Sequence, residues 1–349
     1  MKVITCASYY GSGSSAVMDL VSEYEGVKSL SNYEFRFLHD LDGISDLEYY
    51  LCECHNRHNS GHALKRFIRL SKFNAGNIFS RRYGSFFAGE YGKLTKEYVS
   101  NLTDFSYNGW WFYDLYDKGN VAYYLYQLVD KCLKKISKNK FRILPKEITF
   151  CAHPSEKKFI NCTQKYVHDL LCAANDTNAP YIAVDQILPS QNINRVMRYF
   201  SDEVFAFVID RDPRDIYTLS KFYWRDCLNP YDDVNEFCQW YSYTRESGSP
   251  EILDDKHVLK IHFEDFIYNY NATIKKVEHL LGLSSAEHKF LFKKLNPKLS
   301  VHNTQVWKRH NIDEDISIIE QRLTKYLYPF ELMGQNDIEG IEQKESHIF

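Results

Sequence analysis

Apolar residues in this chain fall into short runs, separated by stretches in which they recur every three or four positions. Val3 to Ser8 is a β-prone run that stops at Tyr9-Tyr10-Gly11-Ser12-Gly13. The pattern that follows places Val17, Leu20, Val21 and Tyr24 on one helical face. Further short runs recur at Ile148–Ala152, Tyr181–Val184, Val204–Ile209 and Val258–Ile261. Helical patterns lie between and after them, over about residues 156–174, 190–200, 214–224 and 264–281. Strands alternating with helices predict parallel pairing with right-handed crossovers. The expected fold class is α/β, a parallel sheet flanked by helices.

Residues 45–145 read differently. They are helical, aromatic and charged, with no clear strand, and predict a helical insertion packed on the sheet within one domain spanning residues 1–330. No segment rich in Pro, Gly or Ser marks a boundary, and no repeat is visible. Residues 331–349 are polar and aperiodic and read as a tail.

Composition narrows the function classes. The 43 Lys and Arg nearly balance 46 Asp and Glu, which argues against a general polyanion binder and against nucleic acid as the partner. Tyr outnumbers Phe, 27 to 23, so many rings are expected to keep one polar end satisfied or wet. No run reaches the ~18 apolar residues of a membrane span, and the first apolar run is too short for a secretory segment. Nine cysteines without framework spacing then read as reduced thiols, and the expected location is cytoplasmic. On that expectation the Asn-x-Ser/Thr matches at Asn101, Asn161, Asn175 and Asn271 carry no weight.

The first constellation with chemistry is Gly11-Ser12-Gly13-Ser14-Ser15 between strand and helix. Glycines let a backbone turn sharply and bring its N–H groups to an anion, while the helix behind offers unpaired N–H groups and a positive dipole end. Such a segment suits a phosphate or sulfonate; a tight turn with a serine N-cap is the plain alternative. A nucleoside-triphosphate loop would need Gly-x4-Gly-Lys-Ser/Thr, which is absent. A dinucleotide fingerprint is formally met by Gly11, Gly13 and Ala16, with Glu34 as its acidic residue.

The second constellation is Arg211-Asp212-Pro213-Arg214-Asp215, directly after the apolar run ending at Asp210. Pro213 suits the first turn of a helix. An arginine at the carboxyl end of a parallel strand faces the ligand edge of such a sheet, and its fork suits a phosphate. The alternative is a local ion pair with Asp212 or Asp215.

With these residues in order, the chain resembles the sulfotransferases that use 3′-phosphoadenosine-5′-phosphosulfate (PAPS), in a bacterial, carbohydrate-type branch. In that family a Ser-Gly-Ser/Thr-Ser/Thr core, here Ser12-Gly13-Ser14-Ser15, holds the 5′-phosphosulfate. An Arg-Asp/Asn-Pro-x-Asp segment and a downstream Ser, here Arg211 to Asp215 and Ser220, hold the 3′-phosphate. Leu259 to Asp265, Thr273-Ile274 and Leu281-Gly282-Leu283 match a later strand, acidic pair and helix. Trp307-Lys308-Arg309 match an element that closes over the nucleotide, and Tyr326-Leu327-Tyr328-Pro329-Phe330 a closing Tyr-rich segment.

The resemblance implies sulfuryl transfer to a hydroxyl or amine of a glycan, glycolipid or small acceptor, leaving 3′,5′-ADP, with no metal. The segment 45–145 would be the acceptor side. Three positions depart from the family: Gly11 stands where many members carry Lys or Arg, Leu219 where the phosphate-binding Ser falls, and Asp185-Gln186-Ile187-Leu188-Pro189 where cytosolic members have Lys-Thr-His-Leu-Pro. Thr218 and Ser220 flank the displaced serine position. Arg36, Lys65, Arg69 and Arg81 are candidates for the missing cation. Asp185 is the first candidate for the base and His39 the second, with Asp40 and Glu34 beside them.

Two other clusters carry candidate chemistry. Cys52, Cys54, His55, His58 and His62 are metal-ligand types, but Cys-x-Cys within a helical pattern faces opposite sides. Trp110-Trp111-Phe112-Tyr113 and Tyr123-Tyr124-Tyr126 suit either core packing or a platform for sugar rings. Competing functions are a nucleotide-dependent kinase and a nucleotide-binding protein that has lost turnover.

Overall fold

β1 (Lys2–Cys6) runs at the centre of a five-stranded sheet whose order is β2 (Val27–Glu34), β5 (Tyr181–Asp185), β1, β6 (Glu203–Asp210), β7 (Val258–His262). All four pairings are parallel, as the alternation of strand and helix predicted. A computed structural model describes residues 1–77, 82–109, 115–141, 143 and 147–332. Contacts divide the chain into two compact units, Met1–Arg36 with Ala174–Phe349, and Phe37–Ala173.

The sheet belongs to the first unit, and burial explains why its strands were readable. Val3, Ile4, Ile182, Ala183, Ala206, Phe207 and Ile209 are fully covered, so these strands need apolar side chains on both faces. Helix α1 (Ser14–Val21) puts Val17, Leu20 and Val21 into a core with Ile4, Phe205 and Phe207. Val277 and Leu281, from the helix Tyr270–Leu281, join the same core. A second core gathers Ile216 and Tyr217 of the helix Pro213–Leu219, Phe237 and Tyr241 of the helix Val234–Glu246, and Ile316 and Ile319 of the helix Asp313–Arg322. Gly282 ends the helix before it at φ 69°, the left-handed conformation that makes glycine the favoured residue there.

Strand order fixes where a ligand edge lies. From β1 the chain passes to β2 on one side, whereas β6 passes to β7 on the other. The loops after β1 and β6 therefore diverge, and the crevice between them is the topological switch point where open α/β sheets bind ligands. That crevice carries the Gly11–Gly13 turn and Arg211. The order also counts against a dinucleotide site, because β5 separates β1 from β2. The carboxylate on the strand next to the turn is Asp185, and Glu34 pairs in register one strand further out.

The second unit corrects one strand assignment. Ile148–Ala152 was expected in the parallel sheet, but β4 (Glu147–Cys151) pairs antiparallel with β3 (Phe105–Gly109) in a separate two-stranded sheet. β3 itself falls in the segment expected to lack strands. β3 is exposed and the described residues of β4 are half-buried apart from exposed Ile148, so the apolar run at 148–151 marks a two-stranded ladder and not a strand covered on both faces. The unit's core is tyrosine-rich: Tyr98 stacks on Tyr166 at 4.6 Å, and their hydroxyls meet Thr163 and Thr95 at 2.8 Å each. Satisfied hydroxyls are what allow these rings to be buried. Arg81 and Trp110 to Tyr113, and the tail from residue 333 on, lie outside the described residues.

Candidate functional site

The turn after β1 is built by two glycines in left-handed backbone, Gly11 at φ 71° and Gly13 at φ 94°. Ser12 closes it: its N–H and its hydroxyl both donate to the Tyr9 carbonyl, at 3.2 and 2.7 Å. That hydroxyl is buried and turned into the loop. A Cβ on Gly11 would lie 2.8 Å from Trp224, and one on Gly13 would lie 2.7 Å from Phe263. A lysine at Gly11 therefore meets both an unfavourable φ and an indole ring.

Gly13 is the N-cap of α1, and no side chain caps the helix. The serine N-cap considered from the sequence is not formed. The N–H groups of Ser14 and Ser15, in the first turn, have no intrahelical acceptor, and the helix dipole adds positive potential there.

Ser14 also links the turn to β5. Its hydroxyl donates to Oδ2 of Asp185 at 3.0 Å. Oδ1 of the same carboxyl is buried with no hydrogen-bond partner. Burial pushes the Asp185 carboxyl from 3.8 up to about 7; the Ser14 hydroxyl opposes the shift and the charge of Glu34 adds to it. His39 and Asp40 belong to the second unit.

Arg211 joins the second constellation to the first. It is only 2% exposed, and its Nη1 donates to the Gly11 carbonyl at 3.3 Å. Nη2 donates to the Asn303 carbonyl, and the guanidinium lies 4.6 Å from the centre of the Phe263 ring. Nε is buried without a partner. Burial lowers the pKa of this arginine, against the attraction of Asp215, Glu264 and Asp212.

The local ion-pair alternative goes to the neighbour instead. Asp212 takes Nη2 and Nε of Arg214, at 2.7 and 2.9 Å, and also accepts from the Tyr328 N–H at 2.9 Å. Asp215 accepts from the N–H groups of Gln305 and Val306, at 2.9 and 2.7 Å. It thereby caps the 3-10 turn Val306–Arg309 and draws Trp307 to 4.2 Å from the Arg214 guanidinium. Burial raises the Asp215 carboxyl to about 7, with Arg211 opposing. Trp307 is packed in the core, while Lys308 and Arg309 stand exposed.

The hydroxyl candidates do not join this group. Ser220 is fully buried and accepts from the Asn229 side-chain amide at 2.6 Å. Thr218 is equally buried and donates to the Arg214 carbonyl at 2.7 Å. Of the cation candidates, Arg36 lies 3.8 Å from Glu34 on the first unit, and Lys65 and Arg69 belong to the second. Among the described residues no group of three or more His, Cys, Asp and Glu is placed to hold a metal. His55 stacks on His153 at 3.7 Å, and His62 lies 3.2 Å from Asp117.

Sequence reasoning missed Arg245 and Asp210. Arg245 pairs with Asp210 at 2.6 Å and lies over the rings of Tyr9, at 4.3 Å, and Tyr241, at 3.4 Å. This places a second guanidinium against the residue that starts the turn. Asp210 ends β6 on the ligand edge, a position that signals it; nothing in the chain announces a partner 35 residues on.

Of the groups that a nucleotide such as PAPS would need at its two anionic ends, this rim offers some and lacks others. The uncapped N–H groups at Ser14 and Ser15 are free to meet a 5′-phosphosulfate. For a 3′-phosphate, the buried unpartnered Nε of Arg211 is the fitting group, and Ser220 does not fit. Four cavities are lined by residues of the second unit, among them His58, Lys65 and His153. A scan of protein-family models and a search of curated proteins both found no match to this chain.

Proposed function

We propose that this chain is a sulfotransferase, moving a sulfuryl group from PAPS to a hydroxyl or amine of a glycan, glycolipid or small acceptor on a P-loop-like sheet. The observation that carries the reading is the 3.3 Å contact between Arg211 and the Gly11 carbonyl. It supports the reading because it sets an arginine and an uncapped glycine turn on one rim, at the switch point of a parallel sheet.

Bound PAPS would supply the activated sulfuryl group and a leaving phosphate. The chain's own residues supply the rest. The N–H groups of Ser14 and Ser15 hold the anion, and the α1 dipole and Arg211 provide positive potential where charge develops. Asp185, with a pKa of about 7, is suited to take the acceptor's proton near neutral pH. Sulfuryl transfer in this scheme rests on positioning and electrostatics, by analogy with phosphoryl transfer.

A second reading is a nucleotide-binding protein without turnover, favoured by Gly11, where Trp224 leaves no room for a lysine. Binding of 3′,5′-ADP compared with ATP and NAD tests the donor class, and preference for ATP would favour a kinase. Transfer of radiolabelled sulfate from PAPS to an acceptor panel separates an enzyme from a relic.

A further inference from the structure

The helix Asn120–Ile136 of the second unit turns its apolar stripe outward. Val121, Tyr124, Leu125, Leu128, Cys132 and Ile136 recur at three- and four-residue spacing and are all exposed, Val121 at 75% and Ile136 at 80%. Such a stripe normally faces a core. Here the helix's one buried residue among those described is Asp130, which is ion-paired with Lys134.

The charge beside the stripe has one sign. Lys131 and Lys135 lie exposed in the last turns, apart from the pair that Lys134 makes with Asp130, and Lys138 and Lys140 follow directly. Between residues 120 and 141 the only acid is the buried Asp130. Some of these lysines complement the helix dipole. That role does not require six exposed apolar side chains next to them.

We propose that this face docks on an anionic phospholipid bilayer, with the helix lying in the headgroup plane. Apolar side chains would enter the acyl boundary while lysine stems lie along it and carry their charges to the phosphates. The helix has 17 residues, and among the described residues no helix is long and apolar enough to cross a membrane. It therefore suits the surface. A second copy of the chain fits less well. Parallel pairing sets lysines against lysines, and antiparallel pairing sets them against residues 120–129, which contain no acid. The inference is independent of the donor nucleotide, and its test needs none.

The test is co-sedimentation of the full chain with phosphatidylcholine vesicles, with and without phosphatidylserine. The expected result is sedimentation that requires phosphatidylserine and weakens with salt. Leu125→Glu with Leu128→Glu should abolish it, and Lys131→Gln or Lys135→Gln should each lower partitioning about fivefold. These side chains are exposed, so all variants should melt as the parent does. Equal sedimentation with and without phosphatidylserine would overturn the proposal, as would unchanged binding by the lysine variants. A parent that ignores vesicles but dimerises through Leu125 and Leu128 would assign the face to a second copy instead.

Discussion

The hydroxyl of Ser14 donates to Oδ2 of Asp185 at 3.0 Å, so the first residue of α1 and the last residue of β5 form one polar pair beside the glycine turn. The pair places a carboxyl whose pKa is raised to about 7, and which is therefore about half ionised at neutral pH, next to uncapped helix N–H groups. Anion binding and proton transfer can then share one rim.

Asp185 should make stability depend on pH. Its carboxyl titrates at about 7 folded, against an ordinary 3.8. Between those values the native state holds more protons than the unfolded state, so stability falls as pH rises through the window. Below it, Asp185→Asn should match the parent. Above it, the variant should be more stable, by about 4 kcal/mol at most. Urea denaturation of both proteins across this range checks the claim, and a constant difference at every pH would refute it. Asn at this position should also lower sulfuryl transfer.

Gly11 should not tolerate a lysine. Gly11→Lys should cost about 1–3 kcal/mol, from the left-handed backbone and the overlap with Trp224. In a Trp224→Ala background the overlap disappears but the backbone strain remains, so only part of the loss should be recovered. Denaturation of the single and double variants measures this; unchanged stability with raised transfer would show that the turn adapts.

Arg211 braces the site by tying the Gly11 and Asn303 carbonyls together. Arg211→Ala leaves Asp212, Asp215 and Glu264 buried without it and should destabilise the protein by about 3–5 kcal/mol. Because Arg211 holds the Asp215 pKa down, its loss should also raise that pKa further. Carboxyl carbon NMR titration and urea denaturation read the two effects. Arg211→Lys keeps the charge without the fork and should retain more stability, which makes it the better variant for nucleotide binding.

Asp215 should govern the order of the Trp307 segment. Asp215→Ala removes the acceptor of the Gln305 and Val306 N–H groups. Hydrogen exchange at those two amides should quicken sharply, while exchange in β1 and β6 changes little. Equal protection in both proteins would mean that Trp307 packing alone holds the segment.

How much was legible follows from burial. β1, β5 and β6 announced themselves because parallel strands covered on both faces must be apolar runs; β7, at the sheet edge with Lys260 exposed, showed itself through Val258 and Ile261 alone. Phe105–Gly109 gave no such sign, since its side chains are exposed and its sequence alternates aromatic and polar residues. Ile148 to Cys151 gave a misleading one, because a half-buried strand of a small antiparallel ladder can carry the same apolar letters. At the site, the glycine turn, Arg211 and Asp185 were readable from residue type and position at strand ends. The Arg245–Asp210 pair, Trp224 over Gly11, and the internal bonding of Ser220 were not, because each depends on a partner that only the folded chain brings near.

The turn and Arg211 are proposed to hold between them a nucleotide phosphorylated at both the 3′ and the 5′ oxygen of its ribose. Calorimetry of 3′,5′-ADP against 5′-AMP tests this most directly. The account predicts that the 3′-phosphate tightens binding tenfold to over a hundredfold, the equivalent of one charge-assisted contact of about 1.5–3 kcal/mol. Equal affinity for the two nucleotides, or no binding of either, would contradict it.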